Sequence, residues 1–463
     1  MKMSQLIAVV AVTVAGLAAA YVCEMPLAAG FAVGLTALVA AALRAGAAPN
    51  ARALWRMMRE GVAHTKEVVW ILLLVGLLIP AWSASGVIPF LVDAGLRLLH
   101  PEWIVTFGFA FASAVAMTLG TSTGTLSAAG IPLMGIAAHL GVPLPLMAGA
   151  LVSGAFVGDR TSPLSSAHQL VAASAGVPPR ALYRLLQPTT YAAFALALAV
   201  FAAFDWFGAW GEGGVGAAAA GAELASIGGY ASSWLLALPP LLLLSAIVLR
   251  IRTRYAFLIG IASGIAAGAA TQGGAAGDWL GWLWGGYPSL SADGELVRGK
   301  GVSSMFELVL LIAMAGAYNG ILEKTGIVRP IAARLIGDHP TLPGATIRAG
   351  AFGLGLGLVS CTQTLPIMMT ARSLAPVWTE RFTREQLARV TADTSLLLAA
   401  LVPWNMIAVL CGTILGVAPE RFAPYALFLW MPPLLTLGYS ALTRSSKAGQ
   451  LFHQEKVDTH LES

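Results

Sequence analysis

In a chain that is mostly apolar, residues 158–169 read Gly-Asp-Arg-Thr-Ser-Pro-Leu-Ser-Ser-Ala-His-Gln, an acid and a base followed by a proline and a run of hydroxyls. The stretch before it, 145–157, carries no charge. A carboxylate such as Asp159 at membrane depth costs about 3 kcal/mol on insertion scales, so such groups face a cavity, pair with a cation or take up a proton. All three suit a group for which a metal cation and a proton compete. A second acid, Asp393, sits in Ala-Asp-Thr-Ser (392–395), with Pro403-Trp404-Asn405 further on. Two hydroxyl-rich segments complete the set: Gly-Thr-Ser-Thr-Gly-Thr at 120–125 and Ser-Cys-Thr-Gln-Thr at 360–364. Thr121, Ser122, Thr123 and Thr125 in the first, and Ser360, Thr362, Gln363 and Thr364 in the second, offer the oxygen ligands that small hard cations prefer.

Each of these residues also has a plainer role open to it. Asp159 can pair with Arg160, although neighbours on a regular helix point apart. A single hydroxyl in a membrane helix commonly bonds back to its own backbone. Asp393 follows the charged run Thr-Glu-Arg-Phe-Thr-Arg-Glu-Gln-Leu-Ala-Arg (379–389) and can lie at the mouth of its helix. His168 titrates near neutral pH in water, which makes it a proton site or a structural histidine. Asn405 can orient an ion ligand or bond between helices. Pro163 and Pro403 interrupt helices and free backbone groups. Two hydroxyl clusters, each followed by an acid, argue for function, because paired interruptions in the two halves of a chain mark a transporter's binding site.

The elements that must position these groups are membrane helices. Of the 463 residues, 57% are hydrophobic and only 11% charged, against roughly 25% charged in soluble domains. The 51 glycines fit helices packed closely in lipid. About twenty apolar residues span a bilayer. The sequence predicts an all-α polytopic protein with about 11–12 membrane elements, near 5–23, 26–43, 67–83, 103–119, 131–156, 187–205, 232–250, 255–271, 303–322, 345–359, 395–416 and 422–441. Gly-Thr-Ser-Thr-Gly-Thr makes a poor continuous helix and reads as a re-entrant tip or unwound segment beside a cavity. The two N-terminal apolar runs read as the first two membrane helices rather than a cleaved signal.

Arginines gather at 44–66 and at Arg-Ile-Arg-Thr-Arg (250–254); the positive-inside rule makes both cytoplasmic, with the N-terminus. Segments 206–231, with Glu212 and Glu223, and 272–300, with Asp278, Asp293 and the tryptophans Trp279, Trp282 and Trp284, are expected outside. The chain divides as a single transporter domain, 1–463: a first repeat within 1–206 that includes the N-terminal helices, a second at 232–441, and a cytoplasmic tail at 442–463. The net charge of +5 does not ask for nucleic acid. Cys23, Cys361 and Cys411 form no CxxC pair and read as small hydrophobes. No HExxH, GxSxG, nucleotide loop or Cys/His cluster is present, so no enzyme is expected.

Together these motifs resemble the NhaC family of sodium/proton antiporters. The likeness runs through 120–165, ending in Gly158-Asp159 and Ser162-Pro163-Leu164-Ser165, and again through 387–405 and Gly412–Val417. It implies two inverted repeats, each with a re-entrant hairpin and a broken helix. It also implies exchange of sodium, or another monovalent cation, for protons across the cytoplasmic (inner) membrane of a prokaryote. It carries over Asp159, Ser162, Ser165, Asp393 and Asn405; read together with the hydroxyls of Thr121, Ser122, Thr123, Ser360, Thr362 and Thr364, these are the expected ion and proton ligands, with His168 as a further proton site. No cofactor and no metal beyond transported sodium is expected. The partners are cation, proton and lipid, and a homodimer is compatible. The chain departs from the pattern at Ser166, where an aspartate is usual, at Ala167, His168 and Gln169, and at Ala392, where a glutamate is usual. Fewer carboxylates weaken a sodium site, so the alternative is a coupled carrier of a small organic acid or amino acid.

Overall fold

The computed structural model describes residues 3–23, 25–46, 50–98, 100–208, 233–249, 251–273, 275–290, 296–298, 301–325, 335 and 341–442. Helices carry almost all of them. The first half runs through α1 (Met3–Val22), α2 (Leu27–Arg44), α3 (Ala51–His64), α4 (Lys66–Ser85), α5 (Val87–Leu98) and α6 (Ile104–Leu119). Ser122–Thr125, Leu126–Gly130 and Ile131–His139 then follow one another as one helix, α7, whose middle piece is π-helical. The half closes with α8 (Leu144–Thr161), α9 (Ser166–Ala175) and α10 (Pro179–Gly208). The second half holds α11 (Leu238–Val248), α12 (Thr253–Thr271), α13 (Ala276–Gly285), α14 (Phe306–Thr325), α15 (Leu342–Ser360) and α16 (Thr364–Trp378). After these, α17 (Arg384–Thr391) continues into a π-helical turn, Ala392–Leu396, and a 3₁₀ turn, Leu398–Leu401. Last come α18 (Met406–Leu415) and α19 (Leu427–Leu442). The only strands among the described residues form a short antiparallel hairpin, Pro288–Leu290 with Leu296–Arg298.

The chain is thus an all-α polytopic membrane protein. Seven described helices are long and apolar enough to cross a bilayer, and nine do if each of two bent pairs counts as one span. The bends are 55° between Arg384–Leu401 and Met406–Leu415 and 52° between Pro419–Tyr425 and Leu427–Leu442. Shorter apolar helices at Ala8–Val22 and Trp234–Val248 match two more expected elements. The span expected at 131–156 is instead two helices. They part at a turn where Gly141 has φ +70° and Pro143 precedes α8, since proline cannot extend a helix whose backbone N–H it lacks. The segment expected as a loop at 44–66 contains α3, N-capped by Asn50 and packed along α14, with Arg52 and Arg56 exposed. Glu212, Glu223, Asp293, Arg250 and the tail 443–463 lie outside the described residues.

The buried core does not follow the order of the chain. Leu17, Phe31 and Leu38 of α1 and α2 pack in one cluster with Tyr318, Phe352 and Trp378 of the second half. Thr13 Oγ1 lies 3.2 Å from Tyr318 Oη. Without a hydrophobic driving force between helices in lipid, contacts of this kind depend on close backbone approach. The crossing that positions the first break is α6 on α8, where a Cβ on Gly158 would run into the Ala116 backbone. That approach sets the residue after it, Asp159, beside the end of α6.

Both hydroxyl segments break the chain where the sequence predicts. α6 stops at Gly120, in the left-handed region with φ +66°, and α15 stops at Cys361, with φ 52°. A Cβ at Gly120 would stand 2.7 Å from the Leu164 carbonyl carbon and 2.8 Å from Ser165 N. Gly120→Ala therefore combines left-handed strain of about 1–2 kcal/mol with a backbone clash, and a loss of about 2–4 kcal/mol is expected. Cys361→Ala keeps a conformation that already carries a side chain and should cost less. Thermal unfolding of both variants in detergent checks the difference; equal losses would contradict it.

Candidate functional site

The two breaks are built alike. After α8 the chain turns at Ser162-Pro163-Leu164-Ser165, with Ser165 N donating to Ser162 O at 2.9 Å. Before α18 it turns at Val402-Pro403-Trp404-Asn405, with Asn405 N donating to Val402 O at 2.9 Å. Proline suits the second position of such a turn because its φ is already fixed. The last residue of each turn caps the helix that follows. Ser165 Oγ accepts from Ala167 N and His168 N, and Asn405 Oδ1 accepts from Ile407 N at 3.2 Å. Each left-handed residue meets the opposite turn of its own half: Gly120 abuts Leu164 and Ser165, and Cys361 O accepts from Met406 N at 2.9 Å. The acids do not share this match. Asp159 lies one helical turn before its proline turn, whereas Asp393 lies in the π-helical stretch much further back.

Asp159 is the carboxylate at the first break. It is 6% exposed. Its Oδ2 accepts from Ser122 Oγ at 2.5 Å, and its Oδ1 accepts from Ser165 Oγ at 3.2 Å and Ser122 N at 3.3 Å. The carboxylate lines a cavity of about 650 Å³ together with Thr121, Ser122 and Thr123. Gln363 and Thr364 from the second break line the same cavity, as do Ser166 and Glu67. No cation among the described residues pairs with Asp159. The unwound backbone and hydroxyls therefore present several oxygens around a single buried acid, which is donor chemistry for a small cation.

Arg160 explains why Asp159 is left alone. Its guanidinium turns to Asp393, 233 positions away: Nε donates to Oδ1 at 2.6 Å, and Nη2 stands 2.5 Å from the same oxygen. The remaining donors go to Thr189, at 2.6 Å, and to Thr190. Thr436 donates to the other oxygen of Asp393. Arg160 and Asp393 are fully buried, and neither lines the cavity. Asp393 is thus deep in the protein and not at a helix mouth. The pair fastens α8 in the first half to the π-helical turn in the second. Nearby, Arg389 donates to Leu185 O at 2.7 Å and stacks over the Tyr439 ring at 4.1 Å.

The other expected residues hold backbone. Ser162 Oγ donates to Met117 O at 2.9 Å, tying the turn to α6. Ser360 Oγ donates to Thr362 O at 3.2 Å and is fully buried. Asn405 Nδ2 donates to Gly357 O at 3.3 Å, across to α15. Thr125 Oγ1 donates to Thr121 O in its own helix. His168, fully buried, sits between two carbonyls, with Nδ1 2.8 Å from Arg160 O and Nε2 3.0 Å from Pro179 O. Sequence reasoning missed Thr189, Thr190 and Thr436. The polar pair after Pro188 was a visible signal; a lone threonine in α19 was not.

Comparison with known proteins agrees with this architecture. The model of the family described as "Na+/H+ antiporter family" matches residues 180–443. The chain is similar to the Na(+)/H(+) antiporter NhaC of Alkalihalophilus pseudofirmus, at 26% identity over 83% of this chain and 84% of that one. It is similar to the malate-2H(+)/Na(+)-lactate antiporter of Bacillus subtilis, at 25% over 80% of each. It is also similar to the arginine/ornithine antiporter ArcD of Halobacterium salinarum, at 28% over 88% of this chain and 86% of that one.

Proposed function

Because the chain belongs to the Na+/H+ antiporter family, as a divergent relative of its NhaC members, we propose that it exchanges sodium, or another monovalent cation, for protons by alternating access. One observation carries this: Asp159 is a buried carboxylate on a cavity of about 650 Å³, held by Ser122 and Ser165 and without a cationic partner among the described residues. Such a group holds either a cation or a proton, because leaving it bare in a poorly solvated site is costly. With a cation bound, Asp159 supplies the charge, and Thr121, Ser122, Thr123 and Thr364 are the neutral oxygens within the same cavity. With a proton bound, the carboxyl is neutral and the hydroxyls keep it hydrogen-bonded. The two cargoes share one carboxylate, so they exchange and do not travel together.

The halves 1–206 and 232–441 act in this reading as inverted repeats that move about the site, and the paired proline turns support that. In this reading the ends of α3 and α12 lie on the cytoplasmic side of the inner membrane, which Arg52, Arg56, Arg59, Lys66, Arg252 and Arg254 support through the positive-inside rule. Glu67, Ile251 and Thr253 at that edge line the cavity. The conformation described is accordingly the cytoplasm-facing one, with the N-terminus inside.

A second reading has its own support. A cavity of about 650 Å³ exceeds what a bare cation needs and lies in the range of about 300–1,000 Å³ typical of small-molecule sites. Ser166 lines it where the family pattern has an acid, which leaves room and less negative charge for an organic anion. Both readings meet in one experiment with purified protein in liposomes. Sodium or lithium gradients should drive proton movement, and half-saturation for sodium should rise as pH falls, since the proton competes for Asp159. No proton movement with any alkali cation overturns the exchange reading. Uptake of labelled carboxylic or amino acids above empty vesicles, in its place, supports the second.

A further inference from the structure

A second chamber, of about 90 Å³, lies between α3, α14 and the break at Cys361. It shares Val68, Thr364 and Met406 with the large cavity, but Asp159 does not line it. Asn319 of α14 does. Its Nδ2 donates to Ser360 O at 3.2 Å and to Thr362 Oγ1 at 3.0 Å. A backbone carbonyl only accepts, so this contact fixes which end of the amide is nitrogen. The opposite end, Oδ1, is buried and has no hydrogen-bond partner among the described residues. An orphaned buried acceptor of this kind is unfavourable unless something satisfies it.

The remaining groups narrow what that can be. Thr362 and Thr364 bring hydroxyl oxygens to the chamber. Glu323, one helical turn after Asn319 on α14, brings a carboxylate to it; His64 and Thr65 at the end of α3 line it as well, and no lysine or arginine does. The carbonyl end of α15 and the amide end of α16 meet at the break, so their opposed dipoles largely cancel there. Glu323 is left as the one carboxylate on the chamber, with the His64 imidazole also on its lining. An acceptor-rich chamber with one carboxylate and the volume of a few water molecules fits an alkali cation with part of its hydration shell.

We infer that the Asn319 chamber is a second monovalent-cation site, with Asn319 Oδ1, Thr362 and Thr364 as neutral ligands and Glu323 as counter-charge. It goes beyond the exchange reading because this cation is held without Asp159. Thr364, which lines both spaces, makes it a staging position for the cation next to the exchange site.

Equilibrium binding of radioactive sodium to the purified full-length protein, at alkaline pH in detergent, tests it. The wild type should bind two sodium ions per chain, Asn319→Leu one, Asp159→Asn one and the double variant none. If Asn319→Leu binds as much sodium as the wild type, the chamber holds water and the inference is wrong. If Asp159→Asn loses nothing while Asn319→Leu loses one ion, the exchange reading fails and the chamber stands. Glu323→Gln, which leaves the Asn319 hydrogen bonds in place, guards against a misfolded leucine variant. In the Asp159→Asn background it should weaken sodium half-saturation about tenfold, as an amide dipole replaces the full counter-charge. An unchanged half-saturation there overturns the inference as well.

Discussion

Asp159→Asn is expected to reduce cation-driven proton movement to the level of empty vesicles while leaving the protein as stable as the wild type. The amide keeps an oxygen for Ser165 Oγ and Ser122 N, and its nitrogen can donate to Ser122 Oγ, a hydroxyl that accepts as readily as it donates. It removes a charge that has no cationic partner among the described residues, so no opposite charge is stranded there. Stability should stay within about 1 kcal/mol or rise slightly, as a buried unpaired charge is itself unfavourable. What is lost is the buried acid of the cavity, the other lining carboxylate, Glu67, being exposed. Thermal unfolding with and without sodium, read beside transport, separates the two effects. A variant that still exchanges cations for protons would remove Asp159 from the centre of the mechanism.

Asp393→Asn should do the reverse. Arg160 and Asp393 are both fully buried, and neutralising one leaves the other charge uncompensated, at a cost of about 3–5 kcal/mol. Arg160→Gln should cost a similar amount, because Thr189, Thr190 and Thr436 satisfy hydrogen bonds but not charge. The double variant Arg160→Met with Asp393→Leu should recover most of the loss, since a buried ion pair replaced by apolar residues of similar size is often neutral or stabilising. Denaturation midpoints of the three variants give the coupling directly. If the two single losses simply add in the double variant, the pair is not the unit the geometry describes. The contrast between Asp159 and Asp393 follows from one fact, namely which of them Arg160 engages.

His168 and Asn405 show how readily polar residues in an apolar chain suggest ligands when they serve the backbone. Both sit at the breaks. The histidine lies between carbonyls of α8 and α10, and the asparagine joins α15 to the cap of α18. Broken helices expose amides and carbonyls that must find partners out of reach of water, and these side chains supply them. Ser162 does the same for α6. The departures from the family pattern at Ser166 and His168 therefore differ in kind. Ser166 lines the cavity and changes what it can hold, whereas His168 is buried away from it.

Local chemistry was legible from the residues alone. The scarcity of charge required a membrane protein. Gly120, at the head of a run of hydroxyls with a second glycine, pointed to the end of α6, and Ser-Pro-Leu-Ser and Val-Pro-Trp-Asn pointed to turns, because proline and glycine act through their own φ angles. The break at Cys361 was visible as a hydroxyl cluster, though not its left-handed backbone, since nothing in a cysteine asks for one. The partnership of the charges was not legible. Arg160 adjoins Asp159 in sequence, yet it bonds to Asp393, 233 residues on. Consecutive residues on a helix leave in different directions, so the neighbour in the chain is not the neighbour in space. Only the packing of α8 against the π-helical turn decided which acid would be neutralised and which would be left facing the cavity.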